Sequence, residues 1–250
     1  MHTATTKHSR WDARAKPVVE GEILWPNARI NVVVEGDARV VRANNLPTHA
    51  SGTFPIRPGS QAHAYDRNPN PIAEQPVLLH LPRTPKVSET ATCVPMGMIG
   101  FALSGVAIFN AFDLAGRDAP AYEIQDKCNG HPERGGQYHY HDWSPCLAKD
   151  AQGKEYAADE PVGSALDGFP ILRPTDSAWA EIKNADLDEC HGRMGNVRID
   201  GETQQTYHYR FTREYPYTIG CFRGHVERAL LRPPPGLRAP PRASDVRSTP

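Results

Sequence analysis

The sequence predicts a mainly β protein: an antiparallel β architecture with two pseudo-repeated, disulfide-pinned units and short helices. Three observations lead there. Twenty Gly and 24 Pro in 250 residues are well above ordinary usage and favour many turns over long helices. Short alternating or β-branched runs, bounded by turn residues, recur through the first half of the chain. The second half aligns with itself, element by element and in the same order.

Taken in order, residues 1–21 form a polar segment and residues 22–230 a single β-rich domain; residues 231–250 are a Pro/Arg-rich flexible tail. Both ends are expected outside the packed core. Within the domain, Arg29 to Val34, Ala38 to Val41 and Pro76 to Leu79 read as strands. The most apolar stretch, Val94 to Phe109, is broken by Gly97, Gly100 and Gly105 and is too short to span a membrane, so it is expected as core strands. Helical signals are confined to Ala119 to Lys127 and to Asp176 to Ala185, the latter with Thr175 or Asp176 as its cap.

The internal repeat runs over about residues 102–146 and 165–221. Ala102 to Ile108, followed by Asp113, aligns with Ala165 to Ile171, followed by Asp176, at a constant offset of 63 positions. Cys128-Asn129-Gly130-His131 then aligns with Cys190-His191-Gly192-Arg193, and Tyr138-His139-Tyr140-His141 with Tyr207-His208-Tyr209-Arg210. Cys146 closes the first unit and Cys221 the second. Equivalent positions suggest bridges Cys128 to Cys146 and Cys190 to Cys221, with Cys93 left over; in a reducing compartment the same residues would be free thiols or ligands.

The chemistry concentrates in the first unit. In an extended segment side chains alternate faces, so His139 and His141 point one way while Tyr138 and Tyr140 point the other. His131 lies eight positions before His139, across the Gly135-Gly136 pair that can return the chain in a turn, so the three imidazoles are a candidate ligand set for one ion. Three neutral nitrogens suit copper, zinc, iron or nickel rather than magnesium or calcium, and copper is the first choice. The second unit places Arg193 and Arg210 where the first has His131 and His141. A guanidinium cannot ligate a cation, so this half is expected to be degenerate, its arginines either packing or holding an anion. Asp167, at a strand-end position, is a candidate to orient a ligating histidine or to act as a base. Asp113 to Asp118 faintly resembles a calcium loop without its full set of ligands and is expected to be a plain turn.

Charge and motifs exclude other classes. With 28 Lys+Arg against 29 Asp+Glu the chain lacks the basic footprint of a nucleic-acid binder. No nucleophile elbow, phosphate-binding glycine loop, dinucleotide fingerprint or H-E-x-x-H motif is present. The first residues lack the apolar core of a secretory leader, as expected for a cytoplasmic protein or one whose leader has been removed.

CNGHPERGGQYHYH (128–141), ALDGFPI (165–171), LDEC (187–190) and YPYTIGCFRG (215–224) together resemble the bacterial YHYH domain proteins over about residues 40–224. The resemblance implies an exported, disulfide-containing domain, hence a secreted or periplasmic location; it speaks to fold and compartment rather than to activity. Asn44 to His49 also resembles a family segment and brings His49 forward as a fourth ligand or a substrate-facing base. The second unit departs from the pattern, with CHGR and YHYR where the resemblance implies CNGH and YHYH.

The functional expectation is a copper-dependent oxidoreductase acting on a small organic molecule or a peptide, with zinc or iron as alternative ions. His131, His139 and His141 hold the metal, and His49, Asp167 and His208 are the candidate catalytic side chains. The competing expectations are a secreted, disulfide-stabilised binding module without activity and a zinc-dependent hydrolase.

Overall fold

The computed structural model describes residues 16–176 and 178–231, so most of the polar N-terminal segment and the tail beyond Leu231 lie outside the described residues. Strands β1 (Ile30–Glu35), β2 (Ala38–Ala43) and β3 (Val77–Pro82) form an antiparallel three-stranded sheet. The two-residue loop Gly36-Asp37 joins β1 to β2, and Gly36 supplies the positive φ of 62° that such a tight hairpin needs. Along β3, Leu79 and Leu81 are buried while Leu78 and His80 face outward, the period-two signature of a sheet covered on one side. With Val41, these two leucines join the same apolar core as Ile99, Phe101 and Ile108 of the larger sheet.

That larger sheet contains β5 (Met98–Ala102), β6 (Ala107–Phe109), β7 (Gly130–Pro132), β8 (Tyr138–Tyr140), β9 (Gly163–Ala165), β10 (Pro170–Leu172), β11 (Gly192–Ile199) and β12 (Glu202–Arg210). Their spatial order is β7-β8-β6-β5-β9-β10-β12-β11. The order reads the same from either edge once each strand is replaced by its repeat mate, so the duplication is a pseudo-two-fold about the central antiparallel pair β5 and β9. The register repeats too. Ile108 pairs with Tyr140 across a parallel ladder, and its mate Ile171 pairs with Tyr209. His131 lies opposite His139, and Arg193 opposite His208.

Equal turn chemistry builds both halves. Gly105 and Gly168 close the β5-β6 and β9-β10 hairpins at φ of 81° and 88°, donating to Ala102 and Ala165 respectively. Asp113 and Asp176 each accept backbone N–H groups two and four residues ahead, so the first is a turn as expected. The same device overturns the helix expected over Asp176 to Ala185: the Asp176 carboxylate that would cap a helix instead folds a tight loop, whose ends Thr175 and Glu181 pair as an antiparallel bridge. The helix expected over Ala119 to Lys127 shrinks to one turn, α1 (Ala119–Tyr122), capped by Asp118 and ended by an extended Glu123 (φ −112°, ψ 148°).

Both disulfides join the repeat-matched partners, Cys128 to Cys146 and Cys190 to Cys221, and Cys93 is exposed and unbridged. With partners 18 and 31 positions apart, each bridge stabilises by about 3 to 4 kcal/mol on a loop-entropy estimate. The N-terminal segment is not wholly outside the core. Val19 is buried against Ile56 and Ile124 and forms an isolated parallel bridge with Asp126. No helix among the described residues is long and apolar enough to cross a membrane.

Candidate metal centre

The loop before β7 sets the geometry. The Asp126 carboxylate accepts N–H groups from Cys128 (2.8 Å), Gly130 (3.2 Å) and Gly52 (2.8 Å), and Asn129 takes a positive φ of 57°, so the chain reverses tightly into β7. The same carboxylate accepts the Tyr138 hydroxyl at 2.8 Å. A Cβ on Gly130 would lie 2.1 Å from the Tyr138 ring, which is why glycine stands there. The tyrosines thus form a buried scaffold on one face of β8, and the histidines are left to the other.

On that other face His131, His139 and His141 converge. All three are 2–3% exposed, and their ligand nitrogens lie within 4.8 Å of one another. Phe109 stacks on His139 with ring centroids 3.9 Å apart and walls one side. His139 Nδ1 lies 2.9 Å from the Gln137 carbonyl, and His141 Nδ1 lies 2.5 Å from the Asn110 carbonyl. A carbonyl oxygen only accepts, so both Nδ1 atoms carry the proton and both Nε2 atoms present lone pairs. Those two Nε2 atoms are 3.0 Å apart. Neutral imidazoles in these tautomers cannot hydrogen-bond to each other, and both nitrogens of His131 are buried without a hydrogen-bond partner.

Protonation is an unfavourable way out of this conflict. Burial and the neighbouring imidazoles push His131 and His139 well below the ordinary histidine range, and burial pushes His141 down to about 4. Three neutral, convergent nitrogens with second nitrogens fixed by backbone carbonyls are the donor set that transition metals take.

Sequence reasoning missed a fourth group. Glu123 Oε2 lies 3.5 Å from Nε2 of both His131 and His141. Burial, together with the carboxylates of Asp113 and Asp66, lifts its carboxyl to about 8. Its side chain keeps 30% exposure, against 3% for the two histidines, so it stands on the solvent side of the cluster. Lys16 approaches from the N-terminal segment, donating to the Glu123 carbonyl at 3.3 Å and the Pro120 carbonyl at 2.7 Å, and burial holds its ammonium down to about 8. No motif marks either residue; only the short turn after Pro120 brings Glu123 to the histidines.

The other three candidates are committed elsewhere. His49 faces the scaffold side, with Nε2 2.5 Å from the Tyr140 hydroxyl and Nδ1 2.9 Å from the Ala50 carbonyl. It also lies near Cys128 and Cys146, but their sulfurs are spent in a disulfide and offer no thiolate. Asp167 accepts the Tyr209 hydroxyl (2.6 Å) and the N–H groups of Gly224 (2.9 Å) and Phe169 (3.2 Å), which ties the second hairpin to the C-terminal segment. His208 occupies the place of His139 in the second unit, where Arg210 Nε donates to its Nε2 at 3.4 Å. None of the three has a hydrogen bond or ring contact with the histidine cluster among the described residues.

Comparison with known proteins gives one positive result. A family model described as YHYH protein matches residues 78–179, a span shorter than the resemblance read from the sequence. It contains the whole histidine cluster and Glu123, and it ends after the first hairpin of the second unit. No curated protein and no solved structure matches the chain.

Proposed function

We propose that the protein, whose residues 78–179 match the YHYH family model, is a metal-dependent oxidoreductase whose metal is held by His131, His139 and His141. Copper is the first candidate, iron the second. One observation carries the reading: two Nε2 lone pairs face each other at 3.0 Å, with both rings locked in that tautomer by backbone carbonyls. A cation between them turns a repulsion into two bonds. The metal would supply redox or Lewis-acid chemistry toward a small organic or peptide substrate. Glu123 faces the solvent side, and its raised pKa lets it take or give a proton near neutral pH. Export into an oxidising compartment fits the two disulfides.

The test starts with protein purified without chelator or nickel resin, its metal counted by mass spectrometry and its oxygen uptake followed over phenolic, thiol and peptide reductants. The expected result is one equivalent of copper or iron with metal-dependent oxygen uptake, and Glu123→Gln cutting turnover about 100-fold while keeping the metal. One equivalent of zinc without oxygen uptake would redirect the site to hydrolysis with Glu123 as the base. A chain that retains no metal after dialysis against copper, iron and zinc would contradict the proposal.

A further inference from the structure

Cys93 is the sulfur that the two bridges leave over, and its surroundings give it a partner. Strands β4 (Thr92–Cys93) and β13 (Cys221–Phe222) form a two-stranded antiparallel ladder in which Cys93 is the direct partner of Cys221. Cys221 is already bridged to Cys190, whose Cα lies 4.5 Å away. Directly opposed residues of an antiparallel pair project to the same face with Cα atoms about 4.5 to 5.5 Å apart. That spacing falls inside the roughly 4.4 to 6.8 Å over which cysteines bridge. Cys221 therefore has two cysteines within bonding reach, one used and one exposed to solvent.

We infer that Cys93, Cys221 and Cys190 form a thiol–disulfide exchange site in which Cys93 takes Cys221 from Cys190. The Cys93 thiolate attacks Sγ of Cys221. A Cys93–Cys221 bond forms as the Cys221–Cys190 bond breaks, and the displaced electron pair leaves on Cys190 as a thiolate, which takes up the proton that Cys93 gave to solvent. One bridge and one thiol stand on each side of the equation, so no outside oxidant is needed. The isomers differ in where the thiol ends. It starts on exposed Cys93 and finishes on Cys190, which is fully buried. The exchange also frees the loop carrying His191 from β13 and ties β13 to β4. Beside the ladder, Ser88 N donates to the Arg223 carbonyl at 2.6 Å and holds the two segments together as the bonds change. The first unit has no counterpart, because no third cysteine pairs with Cys128 or Cys146 among the described residues.

The full chain is held at pH 8 without denaturant, quenched in acid, unfolded, blocked with N-ethylmaleimide and mapped by peptide mass spectrometry. Two populations are expected: one blocked on Cys93 and one blocked on Cys190 with Cys93 bridged to Cys221, while Cys128–Cys146 stays constant. The second population should form faster at pH 8 than at pH 6, because the thiolate is the attacking form. Blocking confined to Cys93 throughout would overturn the inference. Cys190→Ser in a glutathione redox buffer gives an independent reading: most chains should carry a Cys93–Cys221 bridge, and Cys93 and Cys221 both open with Cys128–Cys146 closed would equally overturn it. If Cys190→Ser fails to fold, the wild-type map decides alone.

Discussion

The two halves of the eight-stranded sheet share strand order, register and turn chemistry, yet they treat one position in opposite ways. In the first half, Nε2 of His139 meets another lone pair, on His141. In the second, the equivalent nitrogen on His208 meets a donor, Nε of Arg210, whose guanidinium also donates to the Arg173 and Thr175 carbonyls at 3.1 and 2.9 Å. Burial and the charges of Arg193 and Arg173 hold Arg210 down to about 10, so it remains a cation at neutral pH. The second half carries its own positive charge, whereas the first, on the function proposed above, would receive one from a metal ion. The halves differ here through Arg193 and Arg210 in place of His131 and His141, on a shared strand order and register, although β11 and β12 are longer than β7 and β8.

The largest effect expected from breaking this comparison is at the paired histidines. His139→Ala should weaken metal binding at least 100-fold in competition with a chromophoric chelator, and His208→Ala should leave it unchanged. Equal losses would mean that the halves are not distinct. Converting the second half toward the first, with Arg193→His and Arg210→His together, should raise metal stoichiometry from one toward two equivalents. The cost is about 2 kcal/mol, because the Arg173 and Thr175 carbonyls lose their donor, and urea unfolding would measure it.

A third change tests the scaffold that the halves share. Gly130→Ala drives a Cβ into the fully buried Tyr138 ring, and Gly192→Ala into the Tyr207 ring end and the His208 carbonyl. Each should destabilise by about 2 to 3 kcal/mol, read from the shift in urea midpoint. A neutral result at Gly130 would break the proposed role of the Asp126–Tyr138 scaffold.

The last effect is confined to acid conditions. His191 stands where the first half has Asn129, and burial depresses its folded pKa to about 4 from the ordinary 6.5. Between those values the unfolded chain binds more protons, so stability is fully present above about pH 6.5 and is lost as pH falls toward 4, by up to about 3 kcal/mol. His191→Asn should make that limb shallower in metal-free protein, the remaining slope coming from the other buried histidines. Asparagine tolerates the positive φ there (73°), so folding should survive the change.

Much of this architecture was legible in the sequence because the duplication repeats whole motifs. A cysteine, glycine, tyrosine or hairpin aspartate appearing twice in order fixes strand mates and disulfide partners without knowledge of the three-dimensional pairing. The alternation in Tyr138 to His141 was likewise enough to separate scaffold from cluster. What was not legible depended on contacts that no local pattern marks. Glu123 reaches the histidines only because α1 stops after one turn; a helix continuing to Lys127, as the local signals suggested, would carry it elsewhere. Asp176 looked like a helix cap because a carboxylate accepting N–H groups from following residues serves caps and tight loops alike. His49 was read as site-facing from the resemblance of its segment, and the face it occupies is set by pairing with Tyr140, which lies 91 positions away.

The most direct test of the central claim is the metal stoichiometry of the full chain, measured by equilibrium dialysis with copper, iron and zinc in turn, at pH 7.5 and moderate salt. The account predicts saturation at one equivalent, held by the first half alone. Zero equivalents would contradict the reading of the facing lone pairs, and two would contradict the claim that Arg210 has already filled the second half.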